Sequence, residues 1–141
     1  MISALNTTAS ARSVRTQDNE EEMKKNPTKK PAESWRVISV PIWNCDVLVY
    51  CGPWGSFLKR LKEAGVDPDN IVANKPHDWN TATTYSRRDG TNIIYSANPM
   101  KPAALIHELV HVVHGIMRAK GVSDEEAFAY TLEWIYKEAT K

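Results

Sequence analysis

The chain has 141 residues, of which 18 are basic and 17 acidic, and its length suits one domain with a hydrophobic core. The formal net charge of +1 offers no electrostatic basis for binding nucleic acid or an anionic membrane, so we expect neither as a partner. No apolar run approaches the ~18 residues of a membrane span, and no signal peptide is recognisable at the N-terminus. These features predict a cytoplasmic protein.

The first part of the sequence differs in composition from the rest. Residues 1–33 are rich in Ser, Thr, Asn and charged residues and have few large apolar ones, which predicts a disordered tail before a folded domain over residues 34–141. If one extended strand joins Cys45 to Cys51, the two cysteines lie roughly 20 Å apart at about 3.3 Å per residue, beyond disulfide reach. We therefore expect two free thiols in a reducing compartment.

The beginning of the folded domain predicts two strands and a helix. Residues 35–40 and 46–50 are rich in β-branched and aromatic residues, which is typical of strands. Residues 57–64 have an apolar face and a charged face, so they predict a helix with Ser56 as its cap. In the loop that follows, residues 71–72 are a candidate for a further short strand.

A β-hairpin is predicted next. Asp89-Gly90 lies between two β-prone runs, residues 81–86 and 91–96, and this dipeptide is a strong signal for a hairpin turn. If the second run forms an exposed edge strand, it can pair with an extended peptide.

Two helices are predicted at the C-terminal end. The first has Asn98 as N-cap, Pro99 in its first position and Gly121 at its end. The second opens at Ser123, and the acidic residues of its first turn suit the helix dipole. Together the elements predict an α+β fold with a small, mostly antiparallel sheet that contains the hairpin.

The first of these helices contains the motif H-E-x-x-H. His107 and His111 are four residues apart, which places both imidazoles on one helix face, where they can bind one Zn²⁺ ion. Glu108 lies beside them and can act as the general base for a water that attacks a carbonyl. A buried helix with incidental histidines is disfavoured, because the helix has clear start and stop signals and an acidic turn follows it.

A catalytic zinc site needs a third protein ligand in addition to water. On a helical wheel of the last helix, Glu125 falls on the inward face with Phe128 and Ile135, where a buried carboxylate needs a partner such as a metal. Glu126 falls nearly opposite and, with Ser123, matches a capping box. Periodicity therefore favours Glu125 as the third ligand.

Other polar groups are expected around the site. His114 shares the face of the histidine pair, but three ligands on one helix would span ~10 Å at 1.5 Å per residue, so His114 is expected at the rim. An oxyanion stabiliser is required in principle. Tyr130 ranks first because it is one turn beyond Glu126, and the alternatives are Tyr85, Tyr95 and His77.

These motifs resemble the gluzincin branch of zinc metallopeptidases, and most of all clostridial neurotoxin light chains and related bacterial effector peptidases. Those proteins carry H-E-L-x-H-x-x-H and later V-S-x-E-E-x-x-x-aromatic, to which residues 107–114 and 122–130 correspond. The resemblance implies a zincin-like active-site helix, with Glu125 as zinc ligand and Glu126 as its support. A rival alignment with thermolysin-like gluzincins, E-x-x-[A/S]-D, makes Glu126 the ligand and puts Tyr130 in place of the Asp.

The sequence as a whole predicts a zinc-dependent metallopeptidase that hydrolyses a protein or peptide substrate. His107, His111 and Glu125 are the expected zinc ligands, and Glu108 and Tyr130 the expected catalytic residues. Two alternatives stay open: a non-catalytic binding or inhibitor protein that zinc stabilises, and a zinc hydrolase that acts on another kind of substrate. The likeness to effectors also allows export without a leader.

Overall fold

The structure, a computed structural model, describes residues 32–141, and the predicted tail over residues 1–33 lies almost wholly outside them. The described elements follow in the order β1 (Ser34–Val40), β2 (Cys45–Cys51), α1 (Trp54–Glu63), α2 (Asp69–Ala73), β3 (Thr83–Ser86), β4 (Asn92–Ser96), α3 (Pro102–Lys120) and α4 (Glu125–Ala139). A short 3-10 turn, Pro41–Trp43, joins β1 to β2. In this part of the chain, no helix is both long enough and apolar enough to cross a membrane.

The four strands form one mixed sheet in the order β1-β2-β4-β3. Two of its pairings, β1 with β2 and β3 with β4, are antiparallel, and β2 pairs parallel with β4 from Val47↔Asn92 to Cys51↔Ser96. The predicted α+β fold with a mostly antiparallel sheet is therefore confirmed. The suggestion that residues 91–96 form the edge is wrong: β4 is internal and buried along its whole length, and β3 is the edge.

Helices cover both faces of this sheet. Ile94 of β4 belongs to one apolar cluster with residues of α3 and α4, whereas Ile93 and Tyr95 belong to a second cluster with residues of α1 and α2. The alternation follows from the two-residue period of a strand. A strand buried on both faces has consecutive apolar residues, because neither of its faces meets water, and Ile93, Ile94 and Tyr95 are such a run in the middle of β4. The polar residues at its two ends, Asn92 and Ser96, are also buried and are hydrogen-bonded.

The helix boundaries near the motif differ from the predicted ones. Helix α3 begins at Pro102, not at Asn98, because the residue before a proline is disfavoured in the helical conformation, and Lys101 is accordingly extended and serves as N-cap. Ser96 Oγ donates a hydrogen bond of 2.6 Å to the carbonyl of Asn98 in the segment before the helix. The predicted end of the helix is confirmed, since Gly121 adopts the left-handed conformation with φ of 66°. In α4 the cap is Asp124, whose carboxylate accepts a 2.7 Å bond from Ala127 N. The capping box predicted at Ser123 is therefore wrong.

Three further local predictions have mixed outcomes. The helix expected from residue 57 begins earlier, at Trp54, because Pro53 is extended and serves as N-cap. Residues 71–72 lie within α2, so the strand proposed for them is wrong. Cys45 and Cys51 lie at opposite ends of β2 and are both free thiols, as expected. Burial raises the pKa of the Cys45 thiol.

Candidate metal site

The three polar residues of the motif border one cavity. His107, Glu108 and His111 open from α3 into a space of about 800 Å³, whose opposite wall includes Thr84 and Ser86 of β3. The remaining wall comes from the hairpin turn and from the C-terminal half of α3. The cavity therefore lies between the motif helix and the edge strand of the sheet.

The two histidines converge on the same point of this cavity. Their Nε2 atoms are 3.2 Å apart, and both side chains are exposed. Two nitrogens that bind one tetrahedral zinc at 2.0–2.1 Å stand about 3.3 Å from each other, so the pair fits two ligand positions. The same separation also suits a hydrogen bond from one neutral imidazole to the other. In either arrangement, metal binding or hydrogen bonding, both Nε2 atoms face the same part of the cavity.

Glu108 is buried and is held in a fixed orientation. Its side chain is 7% exposed, and Thr84 Oγ1 donates a hydrogen bond of 2.5 Å to its Oε2. The same hydroxyl lies 3.4 Å from the backbone carbonyl of Glu108. Thr84 was not among the predicted site residues. The sequence feature that could have identified Thr84 is the two-residue period of the hairpin strand, which places Thr84 and Ser86 on the same face of β3.

A close approach between α3 and the hairpin strands supports this arrangement. A Cβ atom at Gly115 would lie 2.5 Å from Ser86 Oγ and 2.6 Å from Asn92 Oδ1. Both side chains are held by hydrogen bonds. Ser86 Oγ donates a 2.7 Å hydrogen bond to Asn92 Oδ1, and Asn92 Nδ2 donates one to the carbonyl of Gly90. Only glycine allows the helix to come this near, which keeps Thr84 within reach of Glu108.

The predicted third ligand lies outside this cavity. Glu125 is the first residue of α4, is exposed rather than inward-facing, and borders an adjoining cavity of about 480 Å³. His114 borders both cavities, as expected for a residue at the rim, and its ring centroid is 4.7 Å from that of Phe128. Glu126 borders neither of the two. Within residues 32–141, no group of three or more His, Cys, Asp or Glu side chains converges on one metal position.

The predicted oxyanion candidates also lie elsewhere. Tyr130 is 68% exposed and borders an apolar groove on α4. Tyr85 and Tyr95 point to the α1 and α2 side of the sheet, and burial raises the pKa of each to about 12. His77 is exposed in the loop before β3. The structure thus brings together His107, Glu108 and His111, whereas the roles predicted for Glu125 and Tyr130 stay predictions.

Comparisons with protein-family models, curated proteins and solved structures found no match to this chain. The resemblance to gluzincins therefore rests on the motif residues alone. The fold and the site define an α+β domain with a histidine pair and a buried glutamate beside the edge strand of its sheet.

Proposed function

We propose that the protein is a zinc-dependent metallopeptidase in which His107 and His111 bind the metal and Glu108 is the general base. The observation that carries the proposal is the 3.2 Å separation of the two Nε2 atoms in a cavity that a buried glutamate also borders. When bound, zinc lowers the pKa of a coordinated water to about 7 and polarises a substrate carbonyl.

Glu108 has the surroundings that a proton-transfer group needs. Thr84 Oγ1 donates a hydrogen bond to Oε2 of Glu108, so Oε1 is the oxygen that can accept a proton from a water in the cavity. The carboxyl group can then pass that proton to the departing amine of the substrate. Because Thr84 fixes the carboxylate, little reorganisation is required of this side chain during the reaction.

The edge strand offers a way to hold a peptide substrate. Strand β3 pairs with β4 on one side, and its outer side has no strand partner in the described part of the chain. An extended peptide can add to this free side through main-chain hydrogen bonds. Since Thr84 lies on β3 and bonds Glu108, such a peptide would run past the general base.

We retain Glu125 as the proposed third ligand, with Glu126 as the alternative. Two residues, His114 and Arg118, border both the motif cavity and the cavity of Glu125, so the two spaces adjoin. Glu125 and Glu126 are matched by charge, exposure and helix position, which makes each the control for the other. Loss of the true ligand in a Glu→Ala variant is expected to weaken zinc binding by roughly tenfold or more, measured against a competing chelator. Loss of the other glutamate is expected to change it less.

Metal content and peptide cleavage together test the function. The protein is dialysed with zinc, its zinc content is measured by mass spectrometry, and a peptide library is searched for cleavage. We expect one zinc in the wild type and in Glu108→Gln, with cleavage reduced about 10²–10⁴-fold in that variant. His111→Ala is expected to lose zinc. His77→Ala, which alters an exposed histidine outside the cavity, is expected to keep both zinc and cleavage.

Two results would contradict the proposal in different ways. A wild-type protein that holds no zinc under zinc-replete conditions would exclude a zinc enzyme and a zinc-stabilised binding protein alike. A wild-type protein that holds zinc but cleaves no peptide would exclude the peptidase and favour the non-catalytic binding protein.

A further inference from the structure

The cavity beside the histidine pair is strongly basic. Arg87 and Arg88 of the hairpin turn and Arg118 of α3 border it, and among residues 32–141 the only carboxylate that does so is that of Glu108. The whole chain, in contrast, has nearly equal numbers of basic and acidic residues. Positive charge is therefore concentrated at this site, where the walls of a cleft focus the field that a ligand meets.

In the part of the chain that the structure describes, two of these three arginines have no carboxylate partner. Within residues 32–141, neither Arg88 nor Arg118 forms an ion pair, and Arg87 has only the 3.7 Å contact to exposed Asp89. Asp124 and Glu125 border the adjoining cavity with Arg118 but are not within ion-pair distance of it. At least two guanidinium groups therefore keep their donors available for a ligand.

A short substrate peptide can span the distance between the histidine pair and the arginines. Arg118 is seven residues after His111, two turns along the same helix, so their Cα atoms are separated by about 10 Å along the axis at 1.5 Å per residue. An extended peptide covers that distance in about three residues at 3.3 Å each. Arg87 directly follows β3, the strand to which we propose that the peptide adds.

We infer that the site selects peptides with an acidic side chain within about three residues of the scissile bond, on the side that faces Arg118. This inference rests on the proposed peptidase function and adds its substrate class. Guanidinium groups bind carboxylates through two parallel hydrogen bonds, so the arginines recognise Asp or Glu by geometry as well as by charge. A peptide with a basic side chain at the same position would meet a repulsive cavity.

Matched substrates test the inference in the zinc-loaded protein. Cleavage sites in a mixed peptide library are aligned, and the kcat/KM is then measured for peptides that differ only by Glu or Gln at the favoured position. We expect acidic residues to be enriched on one side of the bond and the Glu peptide to be preferred about tenfold or more. Arg118→Glu is expected to transfer the preference to Lys at that position.

Arg60→Gln is the control for Arg118→Gln. Arg60 is an exposed arginine on α1, outside the cavity, and its replacement removes the same charge from the protein. We expect Arg60→Gln to keep the ratio of Glu to Gln cleavage, and Arg118→Gln to reduce it. Equal kcat/KM for Glu and Gln peptides at every position within three residues of the bond would overturn the inference.

A binding measurement separates this inference from the proposed function. Glu108→Gln is titrated into fluorescein-labelled pools of random decapeptides that carry one central Glu or Gln, and anisotropy reports binding. Tighter binding of the Glu pool supports the recognition of acidic peptides. If the wild type also cleaves no peptide, the peptidase proposal is refuted while the recognition of acidic peptides stands. Cleavage with no preference, together with equal binding of both pools, refutes the acidic recognition and leaves the peptidase standing.

Discussion

Replacement of Gly115 by alanine tests the packing that positions the site. The new Cβ would lie 2.5 Å from Ser86 Oγ and 2.6 Å from Asn92 Oδ1, closer than atoms tolerate. Asn92 cannot simply turn away, because its side chain is 1% exposed and is bonded to Ser86 and to the Gly90 carbonyl. Either helix α3 moves away from β3 and β4, or the hydrogen bond between Ser86 and Asn92 breaks.

Two opposing effects decide the size of the change. Overpacking a tight contact costs about 1–3 kcal/mol, and breaking a buried hydrogen bond costs a similar amount. Against this, alanine is favoured over glycine in a helix interior by about 1 kcal/mol. Gly55→Ala is the reference for a helical Gly-to-Ala change without a clash, because Gly55 is the second residue of α1 and its Cβ would meet nothing within 4 Å; at this first-turn position the gain from alanine is smaller than in a helix interior. Relative to Gly55→Ala, we expect Gly115→Ala to lower the free energy of unfolding by about 1–3 kcal/mol.

Urea denaturation of the two variants and the wild type supplies this difference. The double variant Gly115→Ala/Ser86→Ala is expected to recover part of the loss, since it removes the nearest atom, and a double-mutant cycle measures that recovery. A difference below about 0.5 kcal/mol between the two glycine variants would show that the close approach does not exist. A cycle without favourable coupling would remove Ser86 from the contact.

Two other predictions concern the edge strand and the opposite face of the sheet. Thr84→Val removes the hydroxyl that bonds Glu108, so we expect kcat to fall roughly 10–100-fold at unchanged zinc content, and an unaltered kcat would show that Thr84 does not position the base. Because burial raises the pKa of Tyr85 and Tyr95 to about 12, the folded chain holds these protons more tightly than the unfolded chain. The free energy of unfolding should therefore fall between about pH 10 and pH 12, and a loss that is unchanged in a Tyr85→Phe variant would refute this assignment for Tyr85.

The elements that local chemistry determines were predictable from the sequence. The hairpin followed from Asp89-Gly90: the Asp89 carboxylate accepts a 2.9 Å bond from Thr91 N, which also lowers its pKa, and Gly90 adopts a φ of 88°. The position of β4 inside the sheet was not predictable in this way. Its parallel pairing with β2 joins strands 45 residues apart, from Val47 to Asn92, and no local pattern specifies such a partner.

The same distinction applies to the site. His107, Glu108 and His111 were predictable because the helix alone fixes the geometry of residues three and four positions apart. Thr84 precedes Glu108 by 24 residues, so their contact depends on how α3 packs against the hairpin. The location of Glu125 depends likewise on how α4 crosses α3, which the spacing between the two motifs does not determine.

Helix α3 contributes to both the core and the candidate site, and its helical periodicity places the residues of each on a different face. One face of α3 is apolar and buried against the sheet and α4, and it consists of Leu105, Leu109, Val112 and Ile116. The face toward the cavity is exposed, and it carries His107, His111, His114 and Arg118. Glu108 lies at the boundary between these faces, and this explains why it is buried and yet borders the cavity. The apolar face can therefore hold the helix rigid, and the polar face can change its ligands or specificity without a large effect on the fold.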